Sequence, residues 1–178
     1  MSILKVSRMG HPVLRRQTQA LSPEQIQHPR LQQLIDDMVE TTEDYGGIGL
    51  AAPQVFQPVR LVVLGSRQVQ EQTPDAIPLT VLINPEWLDH SEEQAQTWEG
   101  CLSLPGLRGV VPRATQVKVR ALDRQGRPVE YQASGLFARV LQHEIDHLDG
   151  ILFPDRMQDL GTLSFLEEYQ RYWAASPS

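Results

Sequence analysis

GLFARVLQHEIDHLDG, residues 135–150, is the stretch of this sequence that decides the fold. It contains no helix-breaking residue before Gly150, which is a suitable helix stop. Its apolar residues are Leu136, Phe137, Val140, Leu141, Ile145 and Leu148. The stretch therefore predicts a helix whose apolar side chains must be covered by other parts of the chain.

The same helix carries an H-E-x-x-H motif. His143 and His147 are four positions apart, and on a helix such residues lie on one face with β-carbons about 5–6 Å apart, so both can bind one ion. Glu144 projects about 100° around the axis from His143 and need not be a ligand. The motif is a signature of zinc peptidases. The alternative is a helix that carries two histidines and several acids on a solvated face.

A catalytic metal needs a third protein ligand and an open position for water. No histidine follows His147, and the H-x-x-G-x-x-H extension of one peptidase class is absent, which weakens the peptidase interpretation. Upstream, Cys101 in WEGCLSLPG follows a glycine that permits close backbone approach. A thiolate with two imidazoles is a plausible ligand set for zinc or a softer transition metal. The alternative for a sole cysteine is a small buried hydrophobe.

The overall composition is that of an ordinary globular protein. The chain has 178 residues, a net charge of −6 and a single cysteine. We expect one domain over residues 1–178 and no intramolecular disulfide. The acidic balance argues against a general nucleic-acid binder. With neither a secretory signal nor a long apolar run, we expect a cytoplasmic protein without a membrane partner.

Outside the metal helix, the patterns mix helices with strands. A helix is predicted within residues 28–45, where Pro29 suits the first turn and Gly46 ends the helix. Strands are predicted within residues 58–65, 80–88 and 93–104, a surface loop over 65–78, and an antiparallel hairpin within 110–133. A closing helix over 161–175 is predicted to pack on the body through Leu163, Leu166, Tyr169 and Trp173, its aromatic rings in the core. We expect an α+β domain in which antiparallel sheets surround the metal-binding helix, with one helix near each end.

Three blocks of sequence together resemble a known family. GIGLAAPQ at 47–54, EGCLS at 99–103 and QHEIDHLDG at 142–150 are similar, in the same order, to the signature motifs of peptide deformylases. The resemblance implies a hydrolase that removes the formyl group from the N-terminal formylmethionine of new polypeptides and releases formate. Arg139 stands where many bacterial members carry an aliphatic residue, which is similar to the organellar-type branch.

The resemblance also implies catalytic roles. Cys101, His143 and His147 would bind one divalent ion, with Fe²⁺ expected and Zn²⁺, Ni²⁺ or Co²⁺ as alternatives. Glu144 would be the general acid/base for a metal-bound water that attacks the formyl carbon. The side-chain amide of Gln54 and the backbone N–H of Leu102 would stabilise the oxyanion. From the sequence alone, the favoured interpretation of Gln54 is a loop amide that ties two strands together.

The implied substrate contacts lie in the same motifs. Gly49 would offer backbone groups to the substrate chain, and Ile48, Leu136 and Val140 would line a methionine pocket. Arg108 would contact the peptide backbone, although a solvated arginine is an equal alternative. In addition, Glu99 would form a buried ion pair with Arg113.

The implied partners are formylmethionyl nascent peptides near the ribosome exit, bound by a monomer. Two rival functions use the same motifs. A non-enzymatic relative would bind formylated or free N-terminal peptides without cutting them, but it has no need of Glu144 or Gln54. An endopeptidase would cleave unformylated peptides internally.

Overall fold

Helix α3, which carries the H-E-x-x-H motif, contacts both β-sheets of the molecule. The computed structural model describes residues 2–65 and 77–174. The α-helices are α1 (Pro23–Gln27), α2 (Pro29–Asp44), α3 (Gly135–Leu148), α4 (Phe153–Arg156) and α5 (Leu166–Tyr172). Short 3₁₀ helices span Pro12–Arg15, Ala52–Val55 and Leu160–Thr162.

Within the described residues, eight strands form two sheets with antiparallel neighbours. They are β1 (Gly49–Ala51), β2 (Leu61–Leu64), β3 (Thr80–His90), β4 (Gln94–Cys101), β5 (Leu104–Ala114), β6 (Gln116–Leu122), β7 (Pro128–Ser134) and β8 (Ser164–Phe165). The larger sheet has the order β1-β2-β3-β6-β7, and the smaller has the order β4-β5-β8. Strand β1 is therefore an edge strand of the larger sheet.

The larger sheet lies between α2 and α3. On β2, Val62 packs in the cluster that contains the apolar face of α3, whereas Val63 packs with the apolar face of α2. Both faces of the sheet are covered, which explains why β2 reads as the unbroken apolar run LVVL. Because the apolar face of α3 is buried against the larger sheet, the polar side chains of α3 point toward the smaller sheet.

Most predicted elements are confirmed. The α+β class, the antiparallel sheets around the metal-binding helix, the helix after residue 28 and the hairpin of β6 with β7 are all present. Most of the predicted surface loop, residues 66–76, lies outside the described residues. The extent of the domain, residues 1–178, stays a prediction. Within the described residues no helix is both long and apolar enough to cross a membrane.

The predicted C-terminal helix is wrong in extent and in burial. Residues 160–165 form a 3₁₀ turn and the short strand β8, and only Leu166–Tyr172 are α-helical. No side chain of α5 is fully buried. Tyr169 and Trp173 stack on Trp98, with ring centroids 4.8 and 5.6 Å away, on the surface instead of in the core. Apolar spacing alone did not reveal that the backbone pairs with β5 before the helix begins.

Candidate metal-dependent active site

Three candidate ligands meet between the end of β4 and the middle of α3. Cys101 ends β4, and His143 and His147 are one turn apart on α3. One ligand atom from each residue lies within 4.8 Å of the other two, and Cys101 Sγ is 3.2 Å from His147 Nε2. His147 is fully buried, whereas Cys101 is partly exposed. The arrangement gathers one sulfur and two nitrogen ligands with one side left accessible.

The orientation of His143 is fixed by Glu99. His143 Nδ1 is 2.8 Å from Glu99 Oε2, so its Nε2 atom remains for the ligand cluster. Glu99 also accepts hydrogen bonds of 2.8 and 3.1 Å from Arg113, which confirms the predicted buried ion pair. Arg113 in turn donates to Asp146, at 2.6 Å, and Arg156 reaches Asp146 from the other side, at 2.7 Å. A chain of charges, buried except at Arg156, therefore holds one imidazole in place.

The electrostatics of the cluster suit a cation. Although burial alone would raise it, hydrogen bonds from His143 and Arg113 lower the pKa of Glu99 from 4.5 to about 2. Although burial alone would lower it, hydrogen bonds to Cys101 and Glu99 raise the pKa of His143 well above 6.5. Burial lowers the pKa of His147 well below 6.5, which leaves a neutral imidazole that can act as a ligand. The donor set and the surrounding negative charge fit a divalent metal ion.

Glu144 lies beside the cluster on α3. It is buried, with 4% of its surface exposed, and its Oε2 atom has no hydrogen-bond partner among the described residues. Burial raises the pKa of Glu144 to about 7. A β-carbon at Gly49 would lie 2.6 Å from Glu144 Oε1, so the absence of a side chain at Gly49 makes room for the carboxylate. This group is poised to take up and release a proton near neutral pH.

Gln54 points its amide nitrogen toward the same place. Its Oε1 atom accepts a hydrogen bond of 2.8 Å from Ala51 N–H, which fixes the orientation of the amide. Its Nε2 atom then faces Cys101 Sγ at 3.6 Å and Ser103 Oγ at 3.3 Å. Gln54 is 1% exposed and follows the edge strand β1 in the 3₁₀ turn. It therefore presents a preorganised neutral donor beside the ligand cluster.

The candidate site opens into a cleft of about 1150 Å³. Nine further predicted site residues line it together with Cys101, and His147 lies buried behind them. These nine are Ile48, Gly49, Gln54, Leu102, Arg108, Leu136, Val140, His143 and Glu144. Arg108 is partly buried and crosses over Gly100, where an added β-carbon would lie 2.2 Å from its Nη1 atom. The geometry thus brings residues from all three sequence motifs into one space.

Several residues of the site were missed or misread in the sequence. Asp146 is one of the acids that the alternative interpretation places on a solvated helix face, but it is 7% exposed and binds Arg113 and Arg156. The pairing of Glu99 with His143 was not predicted either. Lys5 and Arg8, from the first segment of the chain, also line the cleft, and no local motif marks them. The contacts of Asp146 with Arg113 and of Glu99 with His143 join residues 33 and 44 positions apart in sequence.

The fold and this site define the class of a metal-dependent hydrolase built on an H-E-x-x-H helix. Comparison with known proteins narrows the class. The family model for polypeptide deformylase matches residues 3–162. A curated relative, peptide deformylase 2 of Pseudomonas putida, is 45% identical over 167 residues, which cover 93% of each chain.

Comparison with solved structures points to the same family. The Met-Ala-Ser-bound class I type b peptide deformylase of Acinetobacter baumannii superposes with a TM-score of 0.81 at 41% identity, covering 88% of this chain and all of that one. A plant peptide deformylase superposes with a TM-score of 0.80 at 34% identity, covering 96% of this chain and 87% of that one. The chain belongs to the peptide deformylase family, hydrolases that use a divalent metal to remove the N-formyl group from nascent peptides.

Proposed function

We propose that Cys101, His143 and His147 hold the catalytic ion and that Glu144 transfers the protons of deformylation. The observation that carries this proposal is the meeting of three ligand atoms within 4.8 Å beside a buried carboxylate whose Oε2 is unpaired among the described residues. When bound there, a divalent metal supplies Lewis acidity and lowers the pKa of a coordinated water toward about 7.

Glu144 is suited to both proton transfers. A carboxylate whose pKa lies near 7 can accept a proton as the formyl carbon is attacked and return it to the departing amine. Its buried position keeps competing water away from the transferred proton. Gly49 leaves the space that the carboxylate occupies. These properties belong to the chain itself and suit the glutamate between the two histidines to this role.

Gln54 and Leu102 form the proposed oxyanion site. The amide of Gln54 is locked by Ala51 so that its N–H groups, and not its oxygen, face Cys101. A neutral donor held in this way stabilises negative charge that develops on the formyl oxygen, without further reorganisation. The backbone N–H of Leu102, adjacent to Cys101 in the cleft lining, is proposed as the second donor.

The substrate chain is proposed to lie along β1. This strand pairs only with β2 within the described part of the sheet, so its other edge is available to an extended peptide. Gly49 would supply backbone groups at this edge, with Arg108 on the opposite wall. The side chain of the first methionine would enter the apolar part of the cleft, lined by Ile48, Leu136 and Val140. The Acinetobacter relative was solved with Met-Ala-Ser, which is the deformylated form of formyl-Met-Ala-Ser.

The proposal also covers the identity of the metal, the oligomeric state and the place where the enzyme acts. We propose Fe²⁺ as the native metal, as the resemblance to the family implies; a thiolate with two imidazoles would also accept Zn²⁺, Ni²⁺ or Co²⁺. We also propose that the enzyme acts as a monomer on nascent chains near the ribosome exit, in the cytoplasm. Metal analysis and formate release from protein prepared without oxygen test the identity of the ion.

The central test is a matched pair of Glu→Gln variants. Glu144→Gln should lower the turnover of formyl-Met-Ala-Ser by roughly 10²–10⁴-fold, because the variant cannot accept the proton. Its metal content should match that of the parent protein. Glu40→Gln is the control, since Glu40 also has a buried oxygen without a partner among the described residues but lies outside the cleft.

Three outcomes would contradict the proposal. Equal turnover by both variants would remove Glu144 from the mechanism. Peptide binding by the metal-loaded parent without any formate release would indicate a binding module. Internal cleavage of an unformylated peptide would indicate an endopeptidase.

A further inference from the structure

The charge of the cleft opposes the charge of the whole chain. The protein carries a net charge of −6, yet Lys5, Arg8, Arg108 and Arg139 all line the cleft. Among the described residues, the acidic ones in the lining are Glu99 and Glu144. Both are at least nine-tenths buried, and Glu99 is bound by Arg113 and His143. A molecule that enters the cleft therefore meets mainly positive charge.

None of these four cations forms an ion pair with another described residue. Elsewhere in the described chain, eight lysine or arginine side chains form ion pairs with carboxylates, namely Arg15, Arg60, Arg113, Lys118, Arg120, Arg124, Arg127 and Arg156. The other seven described lysine and arginine side chains form no ion pair with a described residue, and four of these seven line the cleft. The positive charge available to a ligand is thus concentrated at the site.

The four cations approach from three separate elements. Arg139 is one helical turn before His143 on α3, and Arg108 of β5 crosses Gly100 beside the ligand cluster. Lys5 and Arg8 belong to the N-terminal segment. That segment is tied to both walls of the site, because the N–H of Ser7 donates to Gln54 O at 2.7 Å and the N–H of Met9 donates to Ser103 O at 2.8 Å.

The size of the cleft indicates which part of a bound peptide lies near these cations. A cleft of about 1150 Å³ exceeds the roughly 300–1,000 Å³ typical of small-molecule pockets, so it has room for residues beyond formylmethionine. An extended peptide advances about 3.3 Å per residue, and three residues span about 10 Å. We therefore expect the side chains after the methionine to lie within reach of these cations.

We infer that the cleft selects formylmethionyl peptides that carry aspartate or glutamate directly after the methionine. This inference rests on the proposed function, and it names the substrate class of that site. Exposed ion pairs contribute modestly, so two or three of them should raise kcat/KM for an acidic peptide by roughly three- to tenfold over a neutral one. Long-range attraction adds to the association rate and is weakened by salt.

The test compares formyl-Met-Glu-Glu, formyl-Met-Gln-Gln and formyl-Met-Lys-Lys on the metal-loaded protein. At low salt the acidic peptide should be hydrolysed fastest and the basic peptide slowest. In about 1 M salt, where the Debye length is about 3 Å, the differences should shrink. The double variant Arg8→Gln/Arg139→Gln should bring the acidic-to-neutral ratio to within about twofold of one.

The control is Arg16→Gln/Arg30→Gln, which removes the same charge from two exposed arginines outside the cleft and should leave the ratio unchanged. Equal rates for all three peptides would overturn the inference but leave the proposed function intact. An absence of formate from every peptide would instead refute the proposed function. Inhibition by poly(U) without any preference among the peptides would overturn the inference in favour of a nucleic-acid surface.

Discussion

Glu99→Gln is the perturbation that most directly tests the buried charge network. The Glu99 carboxylate accepts two hydrogen bonds from Arg113 and one from His143. A glutamine keeps one acceptor oxygen and replaces the other by an NH₂ group. Whichever way the amide turns, that NH₂ group faces an N–H donor of Arg113 or of His143. The variant therefore loses hydrogen bonds and leaves the Arg113 guanidinium with Asp146 as its only carboxylate partner among the described residues.

The expected magnitude follows from burial. The side chains of Glu99 and Arg113 are 8% and 4% exposed, and breaking a buried ion pair from one side typically costs about 3–5 kcal/mol. The matched control is Glu86→Gln. Glu86 accepts hydrogen bonds of 2.9 and 2.7 Å from Arg120, but those side chains are 58% and 61% exposed. An exposed pair of this kind typically contributes about 0.2–1 kcal/mol.

Urea denaturation of both metal-loaded variants measures the difference. Glu99→Gln should lower the free energy of unfolding by about 3–5 kcal/mol, which for a chain of this size is roughly 6–20 °C in Tm. Its affinity for the metal should also fall by about 10–100-fold, because the orientation of His143 is lost. Losses that agree within about 0.5 kcal/mol between the two variants would refute the reasoning. Unchanged metal affinity would refute the positioning role of Glu99.

Two substitutions probe the catalytic groups themselves. Gly49→Ala should lower kcat at least tenfold, because the new β-carbon would displace the side chain of Glu144. The unfolding midpoint should shift little, because the backbone is not displaced. A kcat equal to that of the parent protein in steady-state assays would contradict this prediction. Gln54→Glu keeps the acceptor for Ala51 N–H but replaces the donor near Cys101, so kcat should fall by at least about 10²-fold. Ser103→Ala, which removes the other neighbour of the amide, serves as its control and should stay within about tenfold of the parent.

The local elements of this fold could be predicted from the sequence because each carries its own periodic signal. Helix α2 has its proline at the first turn and ends before Gly46, whose φ is +62°. The i, i+4 spacing placed His143 and His147 on one face of α3 without knowledge of the rest of the chain. For the same reason, the hairpin of β6 and β7 follows from alternation and a turn.

The contacts between segments far apart in sequence could not be predicted from local periodic patterns. Cys101 is 42 positions from His143 in sequence, and it reaches the histidines only because the end of β4 lies beside α3, where Glu99 also contacts His143. Periodicity contains no information about which acid will contact which base, so the pairing of Asp146 with two arginines was not predicted. Apolar spacing also failed at the C-terminus, where β8 pairs with β5 before the last helix begins. In each case tertiary packing decided between structures that the local pattern allowed equally.

The spacing of the candidate ligands also bears on how the folded chain resists unfolding. An ion bound by Cys101 and His147 would join positions that are 46 residues apart, and this segment contains the whole β6–β7 hairpin. Such an ion acts as a cross-link, since it closes a long loop in any partly unfolded chain that retains it. For a covalent link over this length, chain entropy alone corresponds to about 4 kcal/mol. Supply and loss of the ion would then govern the lifetime of the folded chain as well as its chemistry.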